Sequence, residues 1–492
     1  MNAFFYWIYK ICSYICKLLR YFGFKRKPPP VILRPTKTPK KVIAAYFSSD
    51  TPRSSQNLVE MNPKLITHLY YAFVEVHSDG SIGLQDPHKA AMGNYPEKFI
   101  AIKRLNPNLK LIFSCIPKGN SFTVVAENKE LRKAFVNNTI ELLQIWNFDG
   151  LDLDWEYPKL HDKESYILLL MELKQRFNDY GYLLTAAVRA IPVYRESGYD
   201  VPKMSKYLDY INIMTYDYYG SWSTHTGFNS PLYPSSLDTQ YERQYLNVEA
   251  SVRNWIGAGA PPEKICIGIP FYGRTFTLKD ELENGVHAPI VGAGKPPAVT
   301  YYKVITQYTN WTTVWDDEQK GIYKYNANQW IGYDDHKTIK AKVKFALDKD
   351  IAGVFVWHLG GDDMTGETSG LKQFLLCHIY TQMTSDRKTR EAKEPSGIEP
   401  IQPTEPSIVI DTDPSYYEDP ELMRTKDKTR EPSKTSLEIA ITPDKEATVS
   451  VSQPDSHTMV NVPNESDIMP GSNVEDAPSP RSNEETEKVL NV

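Results

Sequence analysis

Short apolar runs alternate with amphipathic segments through the middle of this chain. Helical periodicity is clearest in the amphipathic segments 131–146 and 166–180. The apolar runs, which predict strands buried on both faces, occupy residues 42–47, 68–74, 110–115, 150–156, 183–188, 210–215, 264–271 and 352–357. Strands that alternate with helices predict a parallel sheet, and these eight units predict an α/β fold of the (β/α)8 barrel type.

The chain changes character on both sides of this region. Residues 25–40 form a linker rich in proline and basic side chains, and the alternating pattern occupies residues 41–384. In residues 385–492, Pro, Glu, Ser, Thr, Asp and Lys dominate. A segment of that composition cannot bury enough apolar surface to fold, so it predicts a disordered tail.

Residues 1–24 are apolar and aromatic but carry Lys10, Lys17 and Arg20 at helical spacing. Charges inside the segment make a membrane span costly, and a helix lying in the membrane interface fits the pattern at least as well. The small residues of a signal-peptide cleavage site are not clear. We expect membrane association of this segment and a membrane-associated or secretory, extracellular protein. The sequence leaves membrane topology and oligomeric state open.

Charge and cysteine content exclude several classes of site. A formal net charge of −5 and a pI near 6.1 offer no basic surface for nucleic acid. The five cysteines have no spacing that suggests a disulfide framework or a zinc site. Cys115, Cys266 and Cys377 fall in apolar segments, which predicts buried small hydrophobic side chains. We therefore expect no metal site and no cofactor.

Four carboxylates lie within residues 149–156. Asp152, Asp154 and Glu156 follow a two-residue spacing, so a β-strand would project all three from one face. Asp149 is out of phase and is expected to close the turn before the strand. Neighbouring carboxylates cannot all ionise cheaply, so at least one pKa should be raised. A general acid that works near neutral pH requires such a raised pKa.

The pattern Asp-x-x-Asp-x-Asp-x-Glu followed by Tyr-Pro resembles the signature of family-18 glycoside hydrolases, the chitinases and their relatives. Further matches follow in the order of that family: Tyr-Ala-Phe at 71–73, Met-Thr-Tyr-Asp at 214–217, Pro-Phe-Tyr-Gly-Arg at 270–274 and Val-Phe-Val-Trp at 354–357. The resemblance covers residues 41–384. It implies a TIM barrel with a small α+β insertion at about residues 275–332.

The resemblance also implies an activity, that of an endo-acting chitinase. Such an O-glycosyl hydrolase cleaves β-1,4-linked N-acetylglucosamine oligomers or polymers with retention, and the acetamido oxygen of the sugar attacks C1. Glu156 would be the general acid, and Asp154 would orient the acetamido group. Asp152 would share a proton or a hydrogen bond with Asp154, and Tyr216 would bond the acetamido carbonyl. The expected substrate-binding residues are Tyr71, Tyr157, Met214, Asp217, Tyr272, Arg274 and Trp357.

One segment departs from the family pattern. Where the family has Ser-x-Gly-Gly followed by Trp after the third strand, this chain has Ser114 and then Cys-Ile-Pro-Lys at 115–118. Isoleucine and proline should reshape the sugar groove, and Lys118 removes a stacking platform. We expect weaker binding of long chitin chains and a preference for short or soluble oligomers.

Two other functions stay open alongside the hydrolase. A chitinase-like lectin would bind chitin or chitooligosaccharide without cutting it, and the missing groove aromatics favour that hypothesis. The presence of Glu156, Asp154, Asp152 and Tyr216 favours the enzyme. A membrane-tethered interaction protein would use the barrel as a scaffold and the acidic tail to recruit partners.

Overall fold

The computed structural model of the protein describes residues 29–51, 54–192 and 197–385. The segment 1–24 and the tail from residue 386 onwards lie outside these ranges, so membrane association and tail disorder stay predictions. No helix within the described ranges has both the length and the apolar character needed to cross a bilayer.

Eight parallel strands close into a barrel. Numbered in chain order, they are β1 (Val42–Ser48), β2 (His68–Val76), β4 (Lys110–Pro117), β5 (Gly150–Asp154), β6 (Leu183–Arg189), β7 (Tyr210–Met214), β8 (Ile265–Pro270) and β14 (Gly353–Trp357). The short strand β3 (Ile82–Leu84) lies antiparallel to β2. The barrel order is β1-β14-β8-β7-β6-β5-β4-β2, and pairing of β1 with β2 closes it. Each of these strands overlaps one predicted apolar run, so the predicted (β/α)8 barrel is confirmed.

Helices connect the strands and cover the outside of the barrel. The α-helices of the described residues are α1 (Ser54–Glu60), α2 (Pro87–Met92), α3 (Tyr95–Leu105), α4 (Ser121–Glu127), α5 (Lys129–Trp146), α6 (Lys163–Asn178), α7 (Val201–Tyr207), α8 (Gln240–Tyr245), α9 (Val248–Gly257), α10 (Tyr301–Gln307), α11 (His336–Asp348) and α12 (Phe374–Thr384). The amphipathic segments predicted at 131–146 and 166–180 correspond to α5 and α6. Gly181 follows α6 with φ of 71°, a conformation that glycine adopts without steric cost, and the chain turns directly into β6.

The segment between β8 and α11 forms a second sheet. Its strands are β9 (Tyr272–Leu278), β10 (Ile290–Thr300), β11 (Thr312–Asp316), β12 (Gly321–Asn326) and β13 (Gln329–Tyr333). They pair antiparallel in the order β10-β9-β13-β12-β11. Trp330 is fully buried in this unit. Its ring packs near Phe228 of the loop after β7, and so the sheet stands beside the mouth of the barrel.

The residues before β1 pack along the side of the barrel. Val31 donates from its N–H to the Gly370 carbonyl, and Lys372 donates back to the Val31 carbonyl. Further along, the Tyr380 hydroxyl of α12 donates to the carbonyl of Lys37. Part of the predicted linker is therefore held against the folded unit.

Alternate residues of the barrel strands enter two different cores. Tyr46 and Tyr70 face the interior and stack with ring centroids 4.6 Å apart. Their neighbours Phe47 and Tyr71 face the helices on the outside. The free thiols Cys115, Cys266 and Cys377 are all buried, which agrees with the role predicted for them. The interior at the level of β5 is polar, and this is where the carboxylate row lies.

Candidate active site

The carboxylate row runs along β5 and leaves it at the open end of the barrel. Asp152 and Asp154 point into the interior, while Leu151 and Leu153 pack against the helices. Glu156 lies two residues beyond the end of the strand, in the loop that follows, and its side chain is exposed to solvent. Active sites of this fold lie at this end of the strands, because the βα loops meet there.

Asp152 is a fully buried carboxylate with four side-chain donors around it. Its Oδ2 accepts from the Tyr46 hydroxyl at 2.9 Å and from Ser114 Oγ at 2.8 Å. Its Oδ1 accepts from Thr185 Oγ1 at 2.6 Å and from Asn212 Nδ2 at 3.4 Å. Burial raises the pKa of Asp152 above its ordinary value, and these donors oppose that shift. The four donors come from β1, β4, β6 and β7, so Asp152 is tied to half of the barrel.

Asp154 has a different environment. It is nearly fully buried, and its Oδ1 has no hydrogen-bond partner among the described residues. Burial, and then the charges of Glu156 and Asp152, raise the pKa of Asp154 well above its ordinary value. No hydrogen bond joins Asp154 to Asp152 within the described part of the chain, so the predicted sharing between them stays a prediction.

Glu156 opens onto the cleft but is surrounded by protein on its other sides. This partial desolvation is the largest effect and raises the pKa of Glu156. The hydrogen bond that the Tyr157 hydroxyl donates to Glu156 lowers that pKa. The negative charge of Asp217 raises it, and the positive charge of Arg189 lowers it. The Arg189 guanidinium lies 4.2 Å from the centre of the Tyr157 ring, a cation–π distance. The Tyr157 side chain therefore lies between Arg189 and Glu156, and its role in substrate binding stays a prediction.

Tyr216 follows β7 and reaches over β8. Its ring occupies the space above Gly268, where an added Cβ would lie 2.6 Å from the Tyr216 ring and 2.7 Å from the Phe355 ring. Met214, the last residue of β7, is buried in the barrel interior. The absence of a side chain at position 268 thus lets Tyr216 lie within the barrel mouth.

Asp217 joins the β7 loop to the second sheet. Its Oδ1 accepts from the Tyr272 hydroxyl at 2.8 Å and from Arg274 Nε at 2.7 Å. Its backbone N–H donates to Asn229 Oδ1 at 2.9 Å. The Arg274 guanidinium also lies 5.2 Å from the ring of Trp222, which is partly exposed. Three predicted substrate-binding residues, Asp217, Tyr272 and Arg274, therefore form one bonded group at the cleft wall.

Trp357 ends β14 and lies across the barrel interior. Its ring stacks on Phe73 with centroids 5.5 Å apart and meets the edge of Tyr46 at 5.6 Å. Phe73 was not among the predicted site residues. The pairing register of β2 with β4 shifts between Ala72 and Val74, which makes Phe73 the extra residue of a β-bulge. The bulge turns Phe73 inward against the alternation expected from the sequence.

The structure does not bring Tyr71 to the site. Tyr71 is 1% exposed and packs edge-on against Tyr95, Phe99 and Phe113, on the helix side of β2. Its neighbour Tyr70 faces inward instead. The prediction that Tyr71 lines the cleft is therefore corrected: the regular pleat of β2 at this point directs it outward.

Two other predicted features have clear positions. Asp149 Oδ2 accepts from the backbone N–H of Leu111 at 2.8 Å and contacts Lys103 Nζ, before β5 begins. It closes the entry to the strand and lies away from the cleft. Lys118 follows β4 with an exposed side chain whose Nζ lies 3.7 Å from Glu75 Oε2. A charged pair thus stands where the family pattern has an aromatic ring.

The four donors to Asp152 were not predicted from the sequence. Strand register places Ser114 and Thr185 directly beside Asp152 on the two neighbouring strands, while Tyr46 and Asn212 reach it from farther round the barrel. Hydroxyl and amide side chains at inward positions of apolar strands were the available signal. Their common target depends on register, which the sequence alone does not specify.

The comparisons with known proteins agree with this geometry. The family model for glycosyl hydrolases family 18 matches residues 42–362. The chain belongs to this family. It is 35% identical over 362 residues to the probable chitinase 2 of Drosophila melanogaster, a match that covers 66% of this chain and 73% of the fly protein.

The solved structures that are similar to this chain include chitinases and a pseudo-chitinase. The group IV chitinase of Ostrinia furnacalis in complex with allosamidin has 33% sequence identity and a TM-score of 0.65, over 70% of this chain and 98% of that one. Human YKL-39, described as a pseudo-chitinase with retained chitooligosaccharide binding, has 29% identity and a TM-score of 0.66, over 70% of this chain and all of that one. The fold alone therefore does not decide between catalysis and binding.

Proposed function

We propose that this protein is a chitinase that hydrolyses β-1,4-linked N-acetylglucosamine oligomers or polymers. The observation that carries the proposal is Asp154, a nearly buried carboxylate whose Oδ1 has no partner among the described residues. A buried acceptor without a donor is costly, so the site favours a ligand that supplies one. The acetamido N–H of an N-acetylated sugar is such a donor.

Glu156 is the proposed general acid. It lies at the open end of the row, and its raised pKa favours the protonated form at higher pH than an ordinary glutamate allows. It would protonate the glycosidic oxygen as the bond to C1 breaks. It would then take a proton from the water that completes hydrolysis.

The attacking group in this proposal belongs to the substrate. In the substrate-assisted scheme of this family, the acetamido oxygen attacks C1, and the product retains its configuration. Asp154 would accept the acetamido N–H and stabilise the positive charge that develops on that group. Asp152 already has four donors, so its role would be to hold β5 and to support Asp154 through its negative charge.

Neighbouring aromatic residues support the same orientation of the sugar. Trp357 lies flat against Phe73 across the interior and would form the floor beneath the reacting ring. Tyr216, seated above Gly268, would bond the acetamido carbonyl. The preference for short oligomers, expected from Lys118, stays a prediction.

A second candidate is a lectin that binds chitooligosaccharide without cutting it. The human pseudo-chitinase named above has the same fold at a similar structural distance. The charged pair Lys118–Glu75 at the groove also favours altered sugar binding. The complete row Asp152, Asp154 and Glu156 favours the enzyme, and for that reason catalysis is proposed first.

The experiment that tests the enzyme is release of 4-methylumbelliferone from chitobiose and chitotriose conjugates by the full-length protein. We expect turnover by the wild type and a loss of at least about 100-fold in kcat for Glu156→Gln, because loss of a general acid removes a contribution of that size. Glu141→Gln is the matched control, since Glu141 lies exposed on the outer helix α5. It should keep wild-type activity.

Two outcomes would count against the chitinase. Equal turnover by the wild type and Glu156→Gln would remove Glu156 as the acid. No turnover by either protein, with chitooligosaccharide binding by both in calorimetry, would establish the lectin instead.

We also propose that the barrel works in the secretory lumen or outside the cell, where chitin-type substrates occur.

A further inference from the structure

A compact group of histidines and carboxylates lies outside the carboxylate row. His225, Glu242 and His287 each offer one ligand atom, and these atoms all lie within 4.8 Å of one another. His225 comes from the loop after β7, Glu242 from α8 and His287 from the segment that leads into β10. Asp238, with a fully buried side chain, stands beside His287. We call these four residues the histidine–carboxylate cluster.

Hydrogen bonds define which nitrogen of His225 faces the cluster. Its Nδ1 lies 3.0 Å from the carbonyl oxygen of Thr226. A carbonyl oxygen only accepts, so Nδ1 carries a hydrogen and the lone pair of the neutral ring is on Nε2. That Nε2 lies 3.0 Å from Glu242 Oε1, which is also an acceptor. Two lone pairs at this distance repel unless a positive charge lies between them.

His287 is held in the same way through one ring nitrogen. Its Nε2 lies 2.8 Å from Asp238 Oδ1, so Nε2 donates and the lone pair of the neutral ring is on Nδ1. Both histidines thus donate one ring N–H to an oxygen acceptor and keep the other nitrogen as a ligand. Histidines that bind metals show this pattern almost without exception, because the second bond fixes the tautomer and the ring.

The carboxylates are oriented in a corresponding way. Glu242 Oε2 accepts from the backbone N–H and the hydroxyl of Thr239, both at 2.7 Å, which leaves Oε1 for the histidine. Asp238 Oδ2 accepts from the backbone N–H of Ser235 at 2.8 Å, which leaves Oδ1 for His287. Each carboxylate therefore has one oxygen held by the local turn and the other directed at an imidazole.

A further buried group is aimed at the cluster. Tyr219 is 3% exposed, its hydroxyl makes no well-formed hydrogen bond with the described residues, and the Glu242 carboxylate lies near it. Its ring centre lies 5.6 Å from that of His225 and 6.5 Å from that of His287. A buried hydroxyl at this position can bond a water that a metal in the cluster would hold.

We propose that the cluster is a zinc site, with His225 Nε2, His287 Nδ1 and Glu242 Oε1 as ligands and a water in the fourth position. Two histidines with one glutamate form a recognised zinc ligand set. With neutral rings, Glu242 and Asp238 carry two negative charges, which one divalent cation balances. Asp238 acts through His287 and is a positioning residue.

Binding requires only a local movement. The two imidazoles now stack with centroids 4.1 Å apart, and their rings must turn so that both lone pairs meet at one point. Ligands on one tetrahedral zinc lie about 3.4 Å apart, given bond lengths near 2.1 Å. The distance from His225 Nε2 to Glu242 Oε1 is already 3.0 Å, and the ligand atoms of the three residues all lie within 4.8 Å of one another. A shift of about 1–1.5 Å is then enough to bring them to that spacing. Zinc would then join the β7 loop, α8 and the second sheet.

The test measures zinc in the full-length protein without an affinity tag, dialysed against zinc at about pH 7.5, where free histidine is mostly neutral. We expect one zinc per chain by elemental analysis and a higher midpoint of thermal unfolding. Cobalt in place of zinc should give the visible absorption of a tetrahedral site. His225→Gln and Glu242→Gln should lose the metal, and Asp238→Asn should bind it about 10- to 100-fold more weakly.

His161→Gln is the matched control, because His161 is exposed beside Asp162 and far from the cluster in sequence. It should retain the full zinc content. Circular dichroism of each variant separates lost metal from lost folding, and the graded effect of Asp238→Asn does not depend on removing a ligand. The zinc site is excluded if the folded wild type binds no zinc, or binds no more zinc than His225→Gln and Glu242→Gln do. In that case protons balance the negative charges of Glu242 and Asp238.

Discussion

At the scale of the residue, the three carboxylates of the row along and just beyond β5 have three different environments. Asp152 has four donors, Asp154 has an oxygen without a partner, and Glu156 opens onto solvent. Burial raises the pKa of all three, but only Glu156 combines that shift with a solvent-exposed side chain. Environments that separate the pKa values of neighbouring acids are how one site divides the roles of acid and stabiliser.

The charges around Glu156 should set the upper pH limit of activity. An acid must be protonated to donate, so kcat/KM should fall as pH rises through the raised pKa of Glu156. Asp217 raises that pKa and Arg189 lowers it. Asp217→Asn should therefore move the alkaline limb to lower pH, and Arg189→Gln should move it to higher pH.

Measured pH profiles of kcat/KM for the wild type and both variants check this sign. The two variants serve as controls for each other. A general loss of structure would shift the alkaline limb in the same direction in both variants, whereas the charge effect shifts it in opposite directions. Limbs that stay in place in both variants would mean that another group controls the alkaline limit.

At the scale of the element, β8 shapes the site because Gly268 has no side chain and leaves room for the Tyr216 ring. An alanine Cβ at Gly268 would lie 2.6 Å from the Tyr216 ring. We expect Gly268→Ala to displace Tyr216, to lower kcat by about 100-fold if the shift is near 1 Å, and to cost about 1–3 kcal/mol of stability through overpacking. Kinetics and thermal unfolding measure the two effects.

Gly257→Ala is the control for Gly268→Ala. Gly257 ends α9, and nothing lies within 4 Å of an added Cβ there, so activity should not change. In a Tyr216→Phe background, Gly268→Ala should lower kcat far less, since the hydroxyl is already absent. Full activity of Gly268→Ala would show that the position of Tyr216 does not limit the reaction.

At the scale of the whole molecule, the barrel, the second sheet and the segment before β1 fold together. Val31 and Lys37 bond residues near and within α12, so a fragment that begins at residue 41 would lose these contacts. A fragment for structural work should begin no later than residue 29. The loop after β7 contacts the second sheet through both Asp217 and Phe228, which makes the cleft wall a joint product of two units.

The proposed extracellular location predicts glycosylation. The sequence has three sequons, at 137–139, 310–312 and 464–466. Two of them lie in the described residues and present an exposed asparagine, Asn137 on α5 and Asn310 in a turn. When the full chain is expressed in animal cells, we expect a loss of mass after treatment with an endoglycosidase for N-linked glycans. Thr312→Ala should remove one glycan, whereas Thr312→Ser should keep it. A chain without glycans would place the barrel on the cytosolic side.

Local periodicity was sufficient to predict the elements and the row itself. Alternation of period two placed Asp152, Asp154 and Glu156 on one face, and the eight apolar runs predicted the barrel. These features depend on neighbours along the chain, and so they can be read without knowing which strands pair. The order of the matched motifs was enough to identify the family.

Tertiary structure alone decided which residues meet. Register between strands brought Tyr46 and Asn212 to Asp152, and a bulge in β2 turned Phe73 inward, while the regular pleat before it directs Tyr71 outward. The histidine–carboxylate cluster gathers residues 225, 238, 242 and 287 from three segments and has no local motif. Such contacts arise because packing and hydrogen bonding select one arrangement among many that share the same local pattern.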